Sequence, residues 1–359
     1  MLGRLQDCYA GRRVLVTGHT GFKGSWLCQW LLQLQAQVRG YALDPPTSPA
    51  LFNDLRLATR MQDVRADIRD AGRLLQELRE FEPEFVFHLA AQPLVRYSYQ
   101  HPVETYETNV MGTVYLLDAL RTLNRPCAVV VVTTDKCYEN REWLYGYREE
   151  DPMGGSDPYS SSKGMAELAV AAWRRSFCQD GTIRLATARA GNVIGGGDWA
   201  LDRIVPDCIR AIQSGRPIDV RHPFATRPWQ HVLDPLNGYL SLGQRLDPRI
   251  DSLQLVEPFC GAFNFGPAAA SNRPAQDVVE ELFRHLPGSW RNLHTGPVVH
   301  EAAKLHLCVD KSHHLLNWQS KFDFTAAVRE TAAWYRGYSD GLGSGALCQS
   351  SIDCLGEVE

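Results

Sequence analysis

The chain has 359 residues, a length that predicts a core domain with a smaller second lobe. Its hydrophobic content of 44% predicts a large buried core, and its formal net charge of -4 argues against a nucleic-acid-binding surface, so we expect a small-molecule partner. The ten cysteines and eleven histidines lack the spacing of a disulfide framework or of a metal site, and we expect neither.

The N-terminal stretch lacks the basic-then-apolar pattern of a leader peptide. The longest uninterrupted apolar runs, such as residues 127–132, have only the length of a strand and are too short to cross a membrane. We therefore expect a cytoplasmic protein with no membrane partner.

Residues 14–24, VLVTGHTGFKG, combine a short apolar run with three glycines, and an apolar pattern of helical spacing follows at 26–34. The pattern predicts a strand, a glycine turn and a helix. Gly18, Gly21 and Gly24 allow a tight turn and a close approach to a pyrophosphate, whose charge the N–H groups at the helix start would bind. The spacing is GxxGxxG rather than GxGxxG, so an ordinary strand-to-helix turn stays an alternative.

Asp44 follows the second predicted strand, residues 38–43, where a dinucleotide-binding fold places an acidic residue on the adenosine ribose. It lies slightly later than the roughly twenty residues expected after the glycine loop. Lys23 and Arg39 are nearby cations that would instead suit a 2′-phosphate. We predict NAD rather than NADP as the cofactor.

Predicted strands and helices alternate through the first half of the chain. The strands are residues 85–89, 127–133 and 183–189, and the helices are residues 71–81, 103–123 and 158–177. Alternation of this kind predicts an α/β fold with a doubly wound, mostly parallel sheet.

Two short segments end strands of this predicted sheet. Residues 67–69, Asp-Ile-Arg, close the third strand, where the adenine end of a cofactor would lie, although a cap for the helix 71–81 is an equal alternative. Residues 89–92, Leu-Ala-Ala-Gln, end the fourth strand with small side chains, as expected where a flat cofactor lies against the backbone. Small residues there equally suit packing.

The composition changes after Gly191. Residues 192–199, NVIGGGDW, are rich in glycine, a short helix is predicted at 203–215, and residues 221–231 are rich in proline, arginine and aromatic side chains. Loops of this kind on an α/β scaffold predict a substrate-binding lobe.

Residues 264–267 are predicted to turn the chain toward a helix at 275–286, and a helix at 325–335 ends the predicted core. The tail at 337–359 is polar and contains glycine, so we expect it to be flexible. We therefore divide the chain into a dinucleotide-binding domain at 1–190, a lobe at 191–336 that mainly binds substrate and returns some segments to the first domain, and the flexible tail.

Tyr159 and Lys163 stand four residues apart, on one face of a predicted helix. A free tyrosine has a pKa of about 10, but a neighbouring ammonium and a positive nicotinamide ring would favour the phenolate. Tyr159 could then take a hydroxyl proton while hydride leaves the same carbon. A YxxxK match alone is weak evidence, but here it accompanies the glycine loop and a strand that ends in Thr-Thr-Asp-Lys at 133–136.

Together these stretches resemble the extended short-chain dehydrogenase/reductase family, and within it the nucleotide-sugar dehydratases that act on CDP-glucose. The resemblance covers roughly residues 11–335 and is carried by the stretches GHTGFKGSWL, LAAQPLVRYSY, TTDKCYEN, PYSSSK, RAGNVIGGGDWALDRIVPD, RPWQHVLDP and NFGP. It implies a Rossmann fold, NAD as cofactor, CDP-D-glucose as substrate and a homo-oligomer, either a dimer or a tetramer.

The resemblance also implies roles for individual residues. Thr134 would hold the sugar 4-hydroxyl, Tyr159 would be the base, and Lys163 would bind the nicotinamide ribose and lower the pKa of the tyrosine. Asp135 and Lys136 match the pair associated with dehydration. The predicted cofactor-binding residues are Gly18, Gly21, Phe22, Lys23, Gly24, Asp44, Asp67, Ile68, Leu89, Ala90, Ala91, Thr108, Tyr159 and Lys163. The predicted substrate-binding residues are Gln92, Asn192, Arg203, Arg227 and His231.

One departure limits this transfer of roles. Related enzymes that act on dTDP-sugars carry Asp-Glu where this chain has Asp135-Lys136, so their carboxylate base has no counterpart here. We predict Asp135 as the acid that protonates the leaving hydroxide, while Lys136 is either the base at C5 or the group that orients a water.

The predicted reaction is the NAD-dependent conversion of CDP-D-glucose to CDP-4-dehydro-6-deoxy-D-glucose and water. A nucleotide-sugar 4-epimerase is the nearest alternative, because it shares the oxidation residues but needs no acid at C6. A dinucleotide-sensing binding module without turnover is the alternative from another class.

Overall fold

The computed structural model describes residues 2–220, 222–292 and 305–357. The helices are α1 Leu2–Tyr9, α2 Phe22–Gln33, α3 Leu51–Asp54, α4 Ala71–Phe81, α5 Val95–Gln100, α6 Pro102–Tyr106, α7 Gly112–Leu123, α8 Pro158–Phe177, α9 Ile204–Gln213, α10 Leu233–Arg245, α11 Leu253–Val256, α12 Ala275–His285, α13 Asp310–Leu316, α14 Phe324–Ser339 and α15 Ser344–Glu357. The strands are β1 Arg13–Thr17, β2 Gln37–Ala42, β3 Gln62–Arg65, β4 Phe85–His88, β5 Cys127–Val132, β6 Ile183–Ala190, β7 Val193–Ile194, β8 Ile218–Val220, β9 Thr226–Pro228, β10 Gln230–His231, β11 Ala262–Phe265, β12 Asn272–Pro274 and β13 Trp290–Asn292.

The main sheet of the described residues has seven strands in the order β11-β6-β5-β4-β1-β2-β3, and every neighbouring pair is parallel. The strand order reverses beside β1, which pairs with β2 on one side and with β4 on the other. Helices cover both faces of the sheet. The prediction of a doubly wound, Rossmann-type α/β fold is therefore confirmed.

The apolar side chains of the central strands alternate between the two faces of the sheet. In β1, Val14 and Val16 join the core cluster that includes α2 and α10, whereas Leu15 joins the cluster on the side of α4 and α7. All three of these side chains are fully buried. A strand covered on both faces needs an unbroken apolar run, as β1 and β5 have.

Helix α8 begins and ends at the predicted residues. Asp157 caps it by accepting a hydrogen bond from the Ser160 N–H at 2.9 Å, and Pro158 occupies the first turn. Helix α4 also matches its predicted bounds, but its cap is Asp70, which accepts from the Arg73 N–H at 2.9 Å. The capping role considered for residues 67–69 therefore belongs to Asp70.

The second half of the chain contributes to the main sheet. Residues 264–267 were predicted as a turn, and this is wrong for the first two of them, because Asn264 and Phe265 pair with Arg189 and Ala190 in the parallel ladder between β11 and β6. The short pairs β7 with β10, β9 with β12 and β8 with β13 lie outside the main sheet. The division of domains at residue 190 stays a prediction.

The prediction of a flexible tail at 337–359 is wrong for the described residues. Helix α14 continues to Ser339, and residues 344–357 form α15, which packs against α2 and α14. Cys348, Ile352 and Leu355 of α15 are buried in the core cluster. None of the described helices combines the length and the apolar character that a membrane span requires.

Candidate active site

The carboxyl ends of β1, β4, β5 and β6 open into a cleft with a volume of about 1550 Å³. Loops from both halves of the chain line it, so it lies where a doubly wound sheet receives its ligands. Every predicted site residue except His231 lines this cleft.

The glycine loop between β1 and α2 is shaped for close backbone contact. Gly18 has a φ of +73°, and a Cβ on it would lie 2.7 Å from the Ala90 nitrogen. A side chain on Gly24 would collide with the carbonyl of Gly18. At Gly21, which precedes α2, no described side chain caps the helix, so the first N–H groups can meet an anion. These residues fit the pyrophosphate of a dinucleotide.

The adenosine end of the cleft carries two carboxylates. Asp67 accepts from the Arg69 guanidinium at 2.6 Å, and these hydrogen bonds hold its pKa below the ordinary value. Asp44 is exposed and forms an ion pair with Arg65 at 3.1 Å. Arg39 is bound to Glu77 at 2.9 Å, outside the residues that line the cleft. This charge distribution suits an unphosphorylated ribose better than a 2′-phosphate.

The end of β5 leads into a 3₁₀ turn, Asp135–Cys137, that carries the predicted chemistry. The Thr134 hydroxyl donates to Asp135 Oδ1 at 3.0 Å, and the Thr134 side chain also acts on the pKa of Tyr159. Asp135 is buried, and its second oxygen, Oδ2, has no hydrogen-bond partner among the described residues. The strand end and α8 thus place a hydroxyl, a carboxyl and a phenol together beside the cleft.

The two residues of the YxxxK motif are both affected by burial. Burial raises the pKa of Tyr159 to about 12, against the opposing influence of the Thr134 side chain. Burial also lowers the pKa of Lys163 to about 8, and the Lys163 ammonium donates to the Val132 carbonyl at 3.3 Å. The predicted lowering of the tyrosine pKa by Lys163 is therefore not what this structure shows, because burial outweighs the groups that favour the phenolate.

Lys23 is a second amine at the reacting end of the cleft. Burial lowers its pKa to about 8, with a further contribution from the positive charge of Arg203. Its ammonium lies 3.5 Å from the hydroxyl of the buried Tyr239. The carboxyl group of Asp135 acts to raise the pKa of Lys23, so Lys23 lies within electrostatic reach of the predicted acid.

The predicted substrate-binding residues differ in how they are held. Arg203 forms an ion pair with the buried carboxylate of Asp198 at 2.9 Å. Asn192 keeps a buried Oδ1 that meets no donor in the part of the chain that the structure describes. Arg227 lines the cleft and donates to the Thr226 carbonyl at 2.7 Å. Gln92 also lines the cleft, but Thr105 and the backbone of residue 94 engage its amide.

His231 does not belong to the site. Its side chain is buried in the core, where the ring lies 4.9 Å from that of Phe322 and 6.4 Å from that of Trp26. Burial lowers its pKa to about 3. The prediction that His231 binds substrate is wrong, because a neutral ring inside the core cannot reach the nucleotide sugar.

Sequence reasoning missed two carboxylates that support the site. Asp198 lies in the glycine-rich loop 192–199 and orients Arg203. This contact joins loop residues, so the helical or strand periodicity of the sequence could not predict it. Glu167 lies four residues after Lys163 and binds Arg189 at 2.8 Å. Its spacing from Lys163 is a helical signal that could have been used, but its partner on β6 is remote in sequence.

Comparison with known proteins shows the family to which the chain belongs. The family model described as GDP-mannose 4,6 dehydratase matches residues 15–253. A CDP-glucose 4,6-dehydratase of Salmonella typhimurium is 46% identical over 343 residues, which cover 94% of each chain.

Solved structures at lower identity show the same fold. A dTDP-glucose 4,6-dehydratase of Streptomyces venezuelae, solved with NAD bound, is 23% identical with a TM-score of 0.76, and the match covers 93% of this chain and 99% of that one. A UDP-glucose 4-epimerase of Thermotoga maritima is 19% identical with a TM-score of 0.77, over 91% of this chain and 99% of that one.

Proposed function

Because this chain belongs to the GDP-mannose 4,6-dehydratase family, we propose that it converts CDP-D-glucose to CDP-4-dehydro-6-deoxy-D-glucose and water with NAD as cofactor. The 46% identity to a CDP-glucose 4,6-dehydratase supports the choice of substrate. The observation that carries the proposal is the buried Asp135, whose Oδ2 has no partner among the described residues while Thr134 and Tyr159 stand beside it. A dehydratase needs an acid at this position, and an epimerase does not.

In the oxidation step, Tyr159 takes the proton of the sugar 4-hydroxyl, and Thr134 holds that hydroxyl. NAD⁺, when bound, would supply the hydride chemistry, as acceptor of a hydride from C4 and as donor of a hydride to C6. Lys163 binds the nicotinamide ribose, and its positive charge favours the phenolate. Because burial raises the pKa of Tyr159 to about 12, the positive charges of the bound complex are needed to make it a base near neutral pH.

In the dehydration step, the ketone at C4 acidifies the proton on C5. Removal of that proton forms the C5–C6 double bond as the C6–O bond breaks, and Asp135 donates the proton with which the hydroxide leaves as water. Lys136 lines the cleft, as a base for C5 or as the group that orients a water. Hydride return to C6 and a proton at C5 complete the product, so NAD is regenerated in each turnover.

The part of the cleft that is lined by the predicted substrate-binding residues suits a diphosphate. Arg203 and Arg227 carry guanidinium groups, which bind phosphate oxygens in a fork geometry. The orphaned Oδ1 of Asn192 offers an acceptor for a sugar or ribose hydroxyl.

The test is incubation of the purified protein and NAD with CDP-glucose, followed by mass spectrometry. We expect a product lighter than the substrate by one water, with the ultraviolet absorbance of a 4-ketosugar in base. A product of unchanged mass would identify an epimerase, and no product from any of a panel of nucleotide-glucoses would identify a binding module. The same panel measures the preference for cytidine over other bases.

The cytoplasmic location and the homo-oligomeric state, a dimer or a tetramer, stay predictions of this proposal. Light scattering of the purified protein measures the second. The choice of NAD over NADP is measured by the affinity for each dinucleotide, and we expect NAD to bind more tightly because Asp44 and Asp67 lie at the adenosine end.

A further inference from the structure

A buried carboxylate lies directly behind the YxxxK motif on α8. Glu167 follows Lys163 by four residues and Tyr159 by eight, so the three side chains share one face of the helix. The Glu167 side chain is only 4% exposed. It therefore faces the interior below the cleft rather than the solvent.

The carboxylate of Glu167 is fully engaged. Its Oε1 accepts from the Thr133 hydroxyl at 2.5 Å, and its Oε2 accepts from the Thr187 hydroxyl at 2.8 Å and from Arg189 Nη2 at 2.8 Å. Thr133 immediately precedes Thr134 in the chain. Glu167 thus ties the catalytic helix α8 to the end of β5 that carries Thr134, and to β6.

Arg189 extends this network to other elements. Its Nη1 donates to the Tyr138 hydroxyl at 2.7 Å and to the Glu149 carbonyl at 2.9 Å. Tyr138 in turn donates to Asn264 Oδ1 at 2.7 Å on β11. The ion pair is therefore held from several sides, and the side chain of Arg189 is only 5% exposed.

The charge of Glu167 acts on Lys163. Burial lowers the pKa of Lys163 to about 8, and Glu167 is the strongest of the groups that oppose this shift. Cys137, from the turn after β5, lies close to Lys163, but burial raises the pKa of its thiol, which stays neutral in this range. Two other groups lie within electrostatic reach of Lys163, namely His88 of β4 and Lys23 of α2.

A buried ion pair is a poor way to gain stability, because removing two charges from water costs about as much as their attraction returns. A pair of apolar side chains would hold α8 against β6 equally well. The position of the carboxylate behind Lys163 and Thr134 therefore calls for a second role besides packing.

We propose that Glu167 is a positioning residue for the oxidation step, because its carboxylate keeps Lys163 in the ammonium form and fixes the end of β5 that carries Thr134. This inference rests on the proposed function, since it assigns a role in the same hydride transfer. Glu167 is not among the residues that line the cleft, so it acts through Lys163 and Thr134.

The experiment compares Glu167→Gln with the unaltered protein between about pH 6 and about pH 9. It measures kcat with CDP-glucose and, separately, the affinity for NAD, because the proposed function assigns Lys163 to the nicotinamide ribose. At high pH, kcat and the affinity for NAD should both fall as Lys163 loses its proton, and we call this fall the alkaline limb. In Glu167→Gln we expect the alkaline limb of both profiles to move to lower pH by about one unit, because loss of a nearby opposite charge lowers the pKa of Lys163 by about that amount or more. Lys23 titrates in the same range, but the charged groups that act on it are Arg203, Asp135 and Lys163, not Glu167.

Two control variants separate the charge from the packing. Thr187→Val removes one hydrogen bond of the same network and keeps the carboxylate, so its thermal stability should fall while its alkaline limb stays in place. Glu280→Gln removes an exposed carboxylate of α12 and should change neither. If the Thr187→Val limb moves as far as the Glu167→Gln limb, the charge of Glu167 is not the cause and the proposal is overturned.

Loss of one partner of a buried ion pair is strongly destabilising, so a second variant covers the case in which Glu167→Gln does not fold. The double variant Glu167→Gln/Arg189→Gln removes both charges and leaves neither buried alone. We expect its limb to move down by less than that of folded Glu167→Gln, because the loss of the Arg189 charge removes a repulsion on Lys163 and offsets part of the loss of Glu167. An unmoved limb in folded Glu167→Gln, or a limb that moves to higher pH in the double variant, overturns the proposal. If the unaltered protein makes no product, the proposed function has failed instead, and the NAD profile still tests Glu167.

Discussion

Asp135 and Tyr159 face the same cleft but are constrained in different ways. Tyr159 lies on the first turn of α8, where burial and the Thr134 side chain act on its pKa. Asp135 uses only one oxygen within the described structure, and its second oxygen is buried without a partner. An unsatisfied buried carboxyl oxygen is costly, which is a reason to expect that substrate satisfies it. The two residues should therefore be separable by mutation.

The first prediction concerns the base. Tyr159→Phe removes the group that accepts the 4-hydroxyl proton but leaves the ring, so we expect NAD and CDP-glucose to bind normally while kcat falls by at least about 100-fold. Calorimetry of binding and a turnover assay measure the two effects. Tyr145→Phe is the control, because Tyr145 is 75% exposed, and its kcat should not change. Near-normal turnover in Tyr159→Phe would show that another group is the base.

The second prediction separates dehydration from oxidation. Asp135→Asn cannot donate the proton that hydroxide needs to leave, but Tyr159 and Lys163 stay in place. We expect NADH absorbance to develop when CDP-glucose is added, while release of the 4-keto-6-deoxy product slows by about 100-fold or more. Stopped-flow absorbance and mass spectrometry follow the two steps. Asp251→Asn, at an exposed position, should behave as the unaltered protein does. Product formation at the normal rate in Asp135→Asn would reassign the acid.

At the same scale, the sequence predicted which residues meet but not how each is held. The YxxxK spacing placed Tyr159 and Lys163 on one face, because helical periodicity is local. Burial of the two groups depends on the whole fold, and it moves both pKa values in directions that spacing cannot show. His231 failed as a prediction for the same reason, since a histidine in a polar motif gives no sign that Trp26 and Phe322 enclose it.

At the scale of elements, local signals separated correct from wrong predictions. The start of α8 could be predicted locally, because Asp157 and Pro158 form an N-terminal signature that needs no distant partner. Strand β11 was missed because its last residues run into Gly266 and Pro267, which are typical of turns, and because its partner β6 is remote in sequence. Helix α15 was missed because glycines and serines dominate its start, although Cys348, Ile352 and Leu355 follow a helical spacing.

The third prediction concerns α15. Ile352 is 2% exposed within the core, so Ile352→Ala should lower the free energy of unfolding by about 2–4 kcal/mol. Urea denaturation followed by tryptophan fluorescence measures the change. Ser350→Ala, on the exposed face of the same helix, should stay within about 0.5 kcal/mol of the unaltered protein. Equal stability of the two variants would mean that the C-terminal segment does not pack as described.

At the scale of the whole molecule, the two halves of the chain share one core and one cleft. Helix α10 and strand β11 come from the second half, yet they pack with α2 and β6 of the first half. Across the cleft, Arg96 of α5 lies 3.4 Å from Asp202 of the loop before α9. Both side chains are about half exposed, so this pair adds little stability. The halves are therefore coupled through the shared core, and unfolding of one should take the other with it.

The last prediction follows from three buried groups of this shared core. Burial lowers the pKa of His88 and of His231 to about 3 from an ordinary 6.5, so between these values the unfolded chain takes up two protons that the folded chain does not. Asp234 acts in the opposite direction, because burial raises its pKa from 3.8 to about 7, and the folded chain then holds one proton that the unfolded chain lacks. The unfolded chain therefore binds one proton more than the folded chain in this range. As the pH falls from about 6 to about 4, these groups lower the free energy of unfolding by about 1.4 kcal/mol for each pH unit.

We expect His231→Phe to flatten that slope, since phenylalanine takes up no proton and suits the aromatic neighbours. We expect Asp234→Asn to steepen the slope, since the opposing proton is lost. Urea denaturation of the three proteins at pH values across this window measures both changes, and parallel slopes would mean that these side chains do not hold the protonation states that their burial imposes.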